Sequence, residues 1–190
     1  MKFILRPAFV LFAALTLICC VLYPAAITGI GHVAFASQAE GDLVLRDGQP
    51  VGSTLIGQAF SSPKYFWSRP SATSPKPNDA TASSGSNQGP LNPALVDAVK
   101  GRIDALKAAD PANSAPIPVD LVTASASGLD PEISVAAAYY QAGRIARARK
   151  LTVDEVRSII DQRKESQYFG FFGEPRVNVL ALNLALDERH

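Results

Sequence analysis

The residues best placed to do chemistry in this chain are serines. Ser61-Ser-Pro-Lys64 has the S-x-x-K spacing, in which a lysine amine one helical turn away takes the serine proton for acyl transfer. The S-D-N and K-T-G motifs that accompany such a pair are absent, and Pro63 disrupts the helical turn it needs. Ser125, Ser127 and Asp130 could form a small polar site at a helix N-terminus, which favours anions. The same residues serve equally to cap backbone N–H groups. His32 and His190 are the two histidines, so no interior imidazole exists for a Ser-His-Asp site. Cys19 and Cys20 are adjacent in an apolar run, which leaves the rest of the chain without a disulfide framework, thiol nucleophile or Cys/His zinc site. Neither G-x-x-x-x-G-K-[ST] nor G-x-G-x-x-G occurs.

Two further constellations suit binding better than catalysis. Tyr65-Phe66-Trp67, with Arg69 following, lies in a stretch from 61 to 93 rich in Ser, Pro, Asn and Gly. Three consecutive aromatics do not belong in a solvated linker, so this segment packs on the domain or on a partner. Arg144, Arg147, Arg149 and Lys150 form a basic cluster. It reads as a solvated helix face, partly neutralised by Asp154 and Glu155, or as a dock for an acidic partner or anionic headgroups.

The elements that position these residues divide the chain by charge. Of 190 residues, 47% are hydrophobic and 18% charged, with a net charge of +1, which argues against neutralising nucleic-acid phosphates. No Asp, Glu, Lys or Arg occurs between Arg6 and Glu40. The 24 uncharged residues from Ala8 to Gly31 would extend about 36 Å as a helix, enough to cross a hydrocarbon core of about 30 Å. Pro24 would kink this helix or mark its outer end. Phe9 and Leu15 belong to its apolar body, and Ala25 and Gly29 form a small-xxx-small pair that permits close helix approach. Lys2 and Arg6 before the run place the N-terminus in the cytoplasm. A cleaved leader with an A-x-A site at Ala34-Phe35-Ala36 is the rival, but the run exceeds a normal h-region. The division expected is a cytoplasmic tip at 1–7, a transmembrane helix at 8–31 and an extracytoplasmic domain at 32–190.

Beyond the anchor, Leu43-Val44-Leu45 and Val51 to Ile56 flank an Asp47-Gly48 turn, which predicts a hairpin. Asn92-Pro93 caps a helix with Leu95, Val99, Ile103 and Leu106 on one face. Val119 to Thr123 reads as a short strand, and Asp130-Pro131-Glu132 as the start of a helix that Gly143 breaks. Thr152 to Glu155 is a capping box, with Leu151 and Val156 as a hydrophobic staple. The Val177–Leu186 tail is strand or helix. The fold class is α+β: one transmembrane helix followed by one α+β domain.

Ordered blocks along the chain carry a resemblance. They are Tyr65-Phe66-Trp67-Ser68-Arg69-Pro70-Ser71; Ser86-Asn87-Gln88-Gly89-Pro90 with Asn92-Pro93; the run Pro118 to Pro131; Ile133-Ser134, Gln141 and Arg144; and Gly173-Glu-Pro-Arg-Val-Asn-Val-Leu180 with Leu182 to Asp187. Together they resemble the C subunits of the bacterial Kdp potassium-transporting ATPases. The sequence departs from that pattern at Gln88, Glu132 and Gly143, where Leu, His and Pro are common.

The resemblance implies a non-catalytic accessory subunit of a complex that imports K⁺ at the expense of ATP. Its partners would be a channel-like A subunit, a P-type ATPase B subunit and a small F subunit, in the bacterial inner membrane. It also implies a stabilising role in assembly and a catalytic-chaperone role that raises the ATP affinity of the B subunit. ATP and K⁺ would be handled by the partners, and no cofactor or metal by this chain. A domain outside the membrane does not touch cytoplasmic nucleotide, so any such effect would travel as a coupling free energy. The expected partner interface comprises Tyr65, Phe66, Trp67 and Arg69, then Ser125, Ser127, Gly128 and Asp130, then Glu174, Arg176 and Asn178. A membrane-anchored serine hydrolase using Ser61 and Lys64, or Ser125, and a secreted binding module are the other two functions the residues permit.

Overall fold

The computed structural model describes residues 2–189 of the chain, which forms two compact units divided between Leu43 and Val44. The first unit is built on a helix whose composition leaves it no polar face. α1 (Lys2–Thr16) passes into a π-helical turn (Leu17–Leu22) and then α2 (Tyr23–Ala34), followed by the short α3 (Ala36–Ala39). The 31 residues Ile4–Ala34 include an 18-residue stretch with a mean hydropathy of 2.4, and none is buried within the chain. Their length, about 46 Å as a helix, exceeds a hydrocarbon core. This is the single transmembrane helix among the described residues. Pro24 neither ends nor breaks it. Proline offers no N–H to the carbonyl four residues earlier, and the π turn just before it takes up that mismatch. Tyr23 N–H bonds the carbonyl of Ile18, five residues back.

The division falls within the first residues of a hairpin of β1 (Leu43–Arg46) and β2 (Gln49–Ser53), which from Val44 onward belongs to the second unit. Asp47 and Gly48 both have positive φ, +52° and +74°, as a two-residue type I′ turn requires. β2 ends at Ser53, short of the expected Ile56. A long strap without sheet or α-helix follows and leads to α4 (Pro93–Ala109), capped by Asn92 as expected.

The core sheet is small and antiparallel. β3 (Glu132–Ser134) runs into α5 (Val135–Arg149), and α6 (Val153–Arg163) into β4 (Lys164–Glu165). β5 (Arg176–Asn178) is the central strand and leads directly into α7 (Val179–Asp187). Glu132, Ile133 and Ser134 lie opposite Asn178, Val177 and Arg176, while Lys164 and Glu165 lie opposite Val177 and Arg176. The core combines Ile133 and Val177 of this sheet with Ile145, Val156, Ile159, Ile160, Leu182 and Leu186 of the helices, and with Phe66 from the strap. The α+β class stands, and so does the capping box. Thr152 N–H bonds Glu155 Oε2 at 2.7 Å, and Glu155 N–H bonds Thr152 Oγ1 at 3.2 Å.

Three local expectations are corrected. Val119–Leu121 is a 3-10 turn, not a strand; Thr123 N–H and its hydroxyl both bond the Val119 carbonyl and close it. The helix after Pro131 begins later, because Glu132 to Ser134 are captured by β5. Its cap is Ser134, whose Oγ accepts from Ala137 N–H at 3.0 Å. Asp120 holds Ser134 in place by accepting from its N–H at 2.7 Å and its hydroxyl at 3.1 Å. Gly143 does not break α5, which runs to Arg149 and ends with Lys150 at φ +60°. The undecided tail is strand for three residues and helix for nine, with Asn178 as cap.

A Cβ at Gly143 would meet only the tip of Arg147 at 3.5 Å, an ordinary contact. Gly143→Ala should therefore stabilise the chain by roughly 0.5–1 kcal/mol, through helix propensity and lost unfolded-state entropy. Thermal unfolding of the full chain in detergent should show a raised midpoint; a lowered one would mean that the helix needs glycine there.

Candidate functional site

The strap from Gln58 to Asp79 must satisfy its backbone polar groups without a ladder of its own. Two carboxamides on the facing helices do this at its aromatic centre. Asn183 of α7 accepts from Phe66 N–H at 2.8 Å and donates to the Phe66 carbonyl at 3.0 Å. Gln141 of α5 accepts from Trp67 N–H at 2.8 Å and donates to the Trp67 carbonyl at 3.1 Å. Each amide imitates a neighbouring strand at one residue.

Arginines complete the clamp. Arg144 stacks over the Trp67 ring at 4.4 Å and donates to the Pro63 carbonyl at 2.7 Å and to Gln141 Oε1 at 2.6 Å. Burial pushes its guanidinium down to about 10, against the opposing pull of Asp110, so it is charged at neutral pH. Arg149 lies over the Tyr65 ring at 4.9 Å and donates to the Lys64 carbonyl at 2.8 Å and to Asp187 Oδ1 at 2.6 Å. Tyr65 donates its hydroxyl proton to Asp187 Oδ2 at 3.0 Å. Burial works to raise the Asp187 carboxyl, but the bonds from Arg149 and Tyr65 and the Arg149 charge hold it below the ordinary carboxylate value.

The basic cluster is therefore not one solvated face. Arg144 and Arg149 point inward, while Arg147 pairs with the buried Asp110. Tyr65, Phe66 and Trp67 likewise pack on the domain itself. Phe66 is fully buried, and the polar tips of Tyr65 and Trp67 bond Asp187 and the Ser62 carbonyl.

The 125–130 loop is also scaffold for the most part. Ser125 is buried, and its Oγ accepts from Gly128 N–H at 2.8 Å. Gly128 has φ +72°, and a Cβ there would come within 2.6 Å of Thr73 Cγ2. Ser127 donates to Asp130 Oδ1 at 3.2 Å. Asn178 caps α7 and donates to the Thr54 carbonyl at 2.9 Å. The hydrolase pair fares no better. Ser61 and Lys64 flank an irregular turn, with the Lys64 ammonium 5.1 Å from the Tyr65 ring centroid.

Four of the expected site residues do converge. Arg69, Asp130, Glu174 and Arg176 line one groove of about 410 Å³, together with Asp120 and Glu132. Arg69 pairs with Asp130 at 2.8 Å. Arg176 pairs with Glu132 at 2.8 Å and Glu165 at 3.1 Å, which raises its guanidinium further. Glu132 was missed because the β3–β5 pairing that brings it here joins segments more than forty residues apart, and Asp120 because it reaches the groove through its bonds from Ser134 of β3. Among the described residues no group of three or more His, Cys, Asp and Glu side chains could hold a metal ion. The groove offers alternating charges, suited to a polar protein surface rather than to a small cofactor.

If the amide clamp holds the aromatic strap, Asn183→Ala should leave the Phe66 N–H and carbonyl buried and unpaired, at a cost of roughly 2–4 kcal/mol. Denaturant unfolding of the full chain in detergent measures this, and a change under about 0.5 kcal/mol, the range of ordinary surface substitutions, would refute the clamp.

Comparison with known proteins gives one consistent answer. The family model described as KdpC, the c chain of K⁺-transporting ATPase, matches residues 5–188. The potassium-transporting ATPase KdpC subunit of Herminiimonas arsenicoxydans is 77% identical over 190 residues, covering all of both chains. That of Janthinobacterium sp. (strain Marseille) is 70% identical over 189 residues, again covering all of both. That of Polaromonas naphthalenivorans is 64% identical over 187 residues, covering 98% of this chain and 95% of its own. With a membrane helix, an α+β domain and a family match across nearly every residue, this chain belongs to the KdpC family.

Proposed function

We propose that this chain is the non-catalytic accessory subunit of an ATP-driven potassium importer in a bacterial inner membrane. The carrying observation is the pairing of one transmembrane helix with a domain whose singled-out serines are spent on structure: Ser125 on Gly128 N–H, Ser127 on Asp130. The names of its relatives support the transport assignment. Its partners in this reading are a channel-like A subunit, a P-type ATPase B subunit and a small F subunit, which handle K⁺ and ATP. The anchor contributes through its apolar faces, Phe9 and Leu15 toward lipid and the Ala25–Gly29 pair toward a partner helix.

The N-terminus lies in the cytoplasm and the domain outside, as the positions of Lys2 and Arg6 favour. The charged groove around Arg69, Asp130, Glu174 and Arg176 meets the partner's outer surface. An effect on the ATP affinity of the B subunit then acts through the assembly as reciprocal coupling, with no nucleotide on this chain.

Two experiments test this reading. A cysteine placed by Ser86→Cys, with Cys19 and Cys20 changed to Ser, should react with a membrane-impermeant maleimide from the periplasmic side; protection there and labelling from the cytoplasm would reverse the topology. Glu174 is exposed and lines the groove. Glu174→Lys should reduce co-purification of the partner subunits severalfold with an unchanged melting temperature, and full recovery of K⁺-stimulated ATPase complex would remove the groove from the interface.

A further inference from the structure

A second concavity of about 250 Å³ lies between the strap and α4 and is separate in character from the charged groove. Its walls are apolar, from Phe60, Trp67, Leu106 and Leu121, and Arg69 and Arg102 also line it. Arg102 donates Nη1 to the Val122 carbonyl at 2.8 Å and forms no ion pair among the described residues. Burial alone lowers its pKa, without a carboxylate to offset it. The charge balance selects the ligand. Asp130 already neutralises Arg69, so the surplus is a single positive charge, that of Arg102. One excess charge suits a monoanion better than a doubly charged phosphate.

We propose that this pocket binds a carboxylate carried on an apolar stem, with Arg102 as its counter-ion and Trp67 and Leu106 against the stem. The volume admits one phenyl-sized or branched group and one carboxylate, at the small end of ligand sites. The carboxylate belongs to a free organic acid or to an acidic side chain of a partner subunit. The chemistry is the same in both cases, and the pocket on the isolated chain does not depend on the subunit assignment above.

The test uses the full chain in detergent with 3-(4-fluorophenyl)propionate as probe and the corresponding amide as its uncharged twin. Trp67 is the sequence's single tryptophan and lines the pocket, so its fluorescence reports occupancy, and the fluorine NMR signal of the probe reports it independently. The acid should bind saturably and the amide about tenfold or more weakly, the effect of one charge-assisted hydrogen bond. Arg102→Met should weaken the acid to the level of the amide. Because Arg102 also holds Val122, a second variant is needed: Ala105→Phe fills the pocket from the exposed face of α4 and keeps both arginines. It should abolish acid binding with an unchanged melting temperature. Equal binding of acid and amide, or undiminished binding by either variant, overturns the proposal. The assembled complex then separates the sources. If the fluorinated acid binds there as it does to the isolated chain, the ligand is a free acid. If the site is closed and Arg102→Met lowers recovery of the complex, the partner supplies the carboxylate.

Discussion

Two buried carboxamides hold this domain to one shape. The strap that carries the aromatic triplet has neither helix nor strand at its centre, yet Phe66 is part of the core. Burying backbone without a ladder is unfavourable unless each N–H and carbonyl is paired. Asn183 and Gln141 pair both groups at two successive residues. Much else follows from that arrangement. α5 must remain helical through Gly143, because Gln141 and Arg144 act from one face of it, on the same strap. α7 must begin at Val179, so that Asn183 faces Phe66 while Asp187, one turn further, receives Arg149 and Tyr65.

The buried arginines obey the same logic. An isolated charge in the interior is unfavourable by several kcal/mol. Arg144 and Arg149 are accommodated because main-chain carbonyls at Pro63, Lys64 and Leu186 receive their protons and aromatic faces receive their planes. Arg149 also has the Asp187 carboxylate. Arg144 has no such direct partner, and its burial lowers its proton affinity. A lysine could not replace either residue, since it lacks the planar fork that bonds two acceptors while stacking.

Local signals in the sequence were legible, and non-local ones were not. The Asp47-Gly48 turn, the Asn92 cap and the Thr152–Glu155 box each depend on residues within a few positions, and each appears where expected. Asp130-Pro131-Glu132 resembles a helix start equally well in isolation, but β5 claims Glu132 as a strand, and Arg69 and Ser127 claim Asp130. Arg144 and Arg149 look like surface charge because their acceptors at Pro63 and Lys64 lie 81 and 85 residues away. That the aromatic triplet packs rather than lying in solvent was legible, but what it packs on was not, because the amides that cover its backbone are on distant helices. Of the groove, the Arg and Glu in the Gly173–Leu180 block were visible, while Glu132 needed the strand pairing and Asp120 its bonds from Ser134. The resemblance to a known family compensates for part of this blindness, since it registers long-range solutions without explaining them.

The π-helical turn at Leu17–Leu22 has a geometric consequence for the membrane helix. One additional residue in a turn advances the phase of everything beyond it by about 100°. Residues before it, such as Phe9 and Leu15, and residues after it, such as Ala25 and Gly29, therefore do not follow one continuous 3.6-residue phase. The helix carries two phases, one on each side of the π turn, with Cys19 and Cys20 at the seam. A single rod can then face different neighbours at its two ends without bending, and a substitution scan through it would show two periodic patterns out of step with each other.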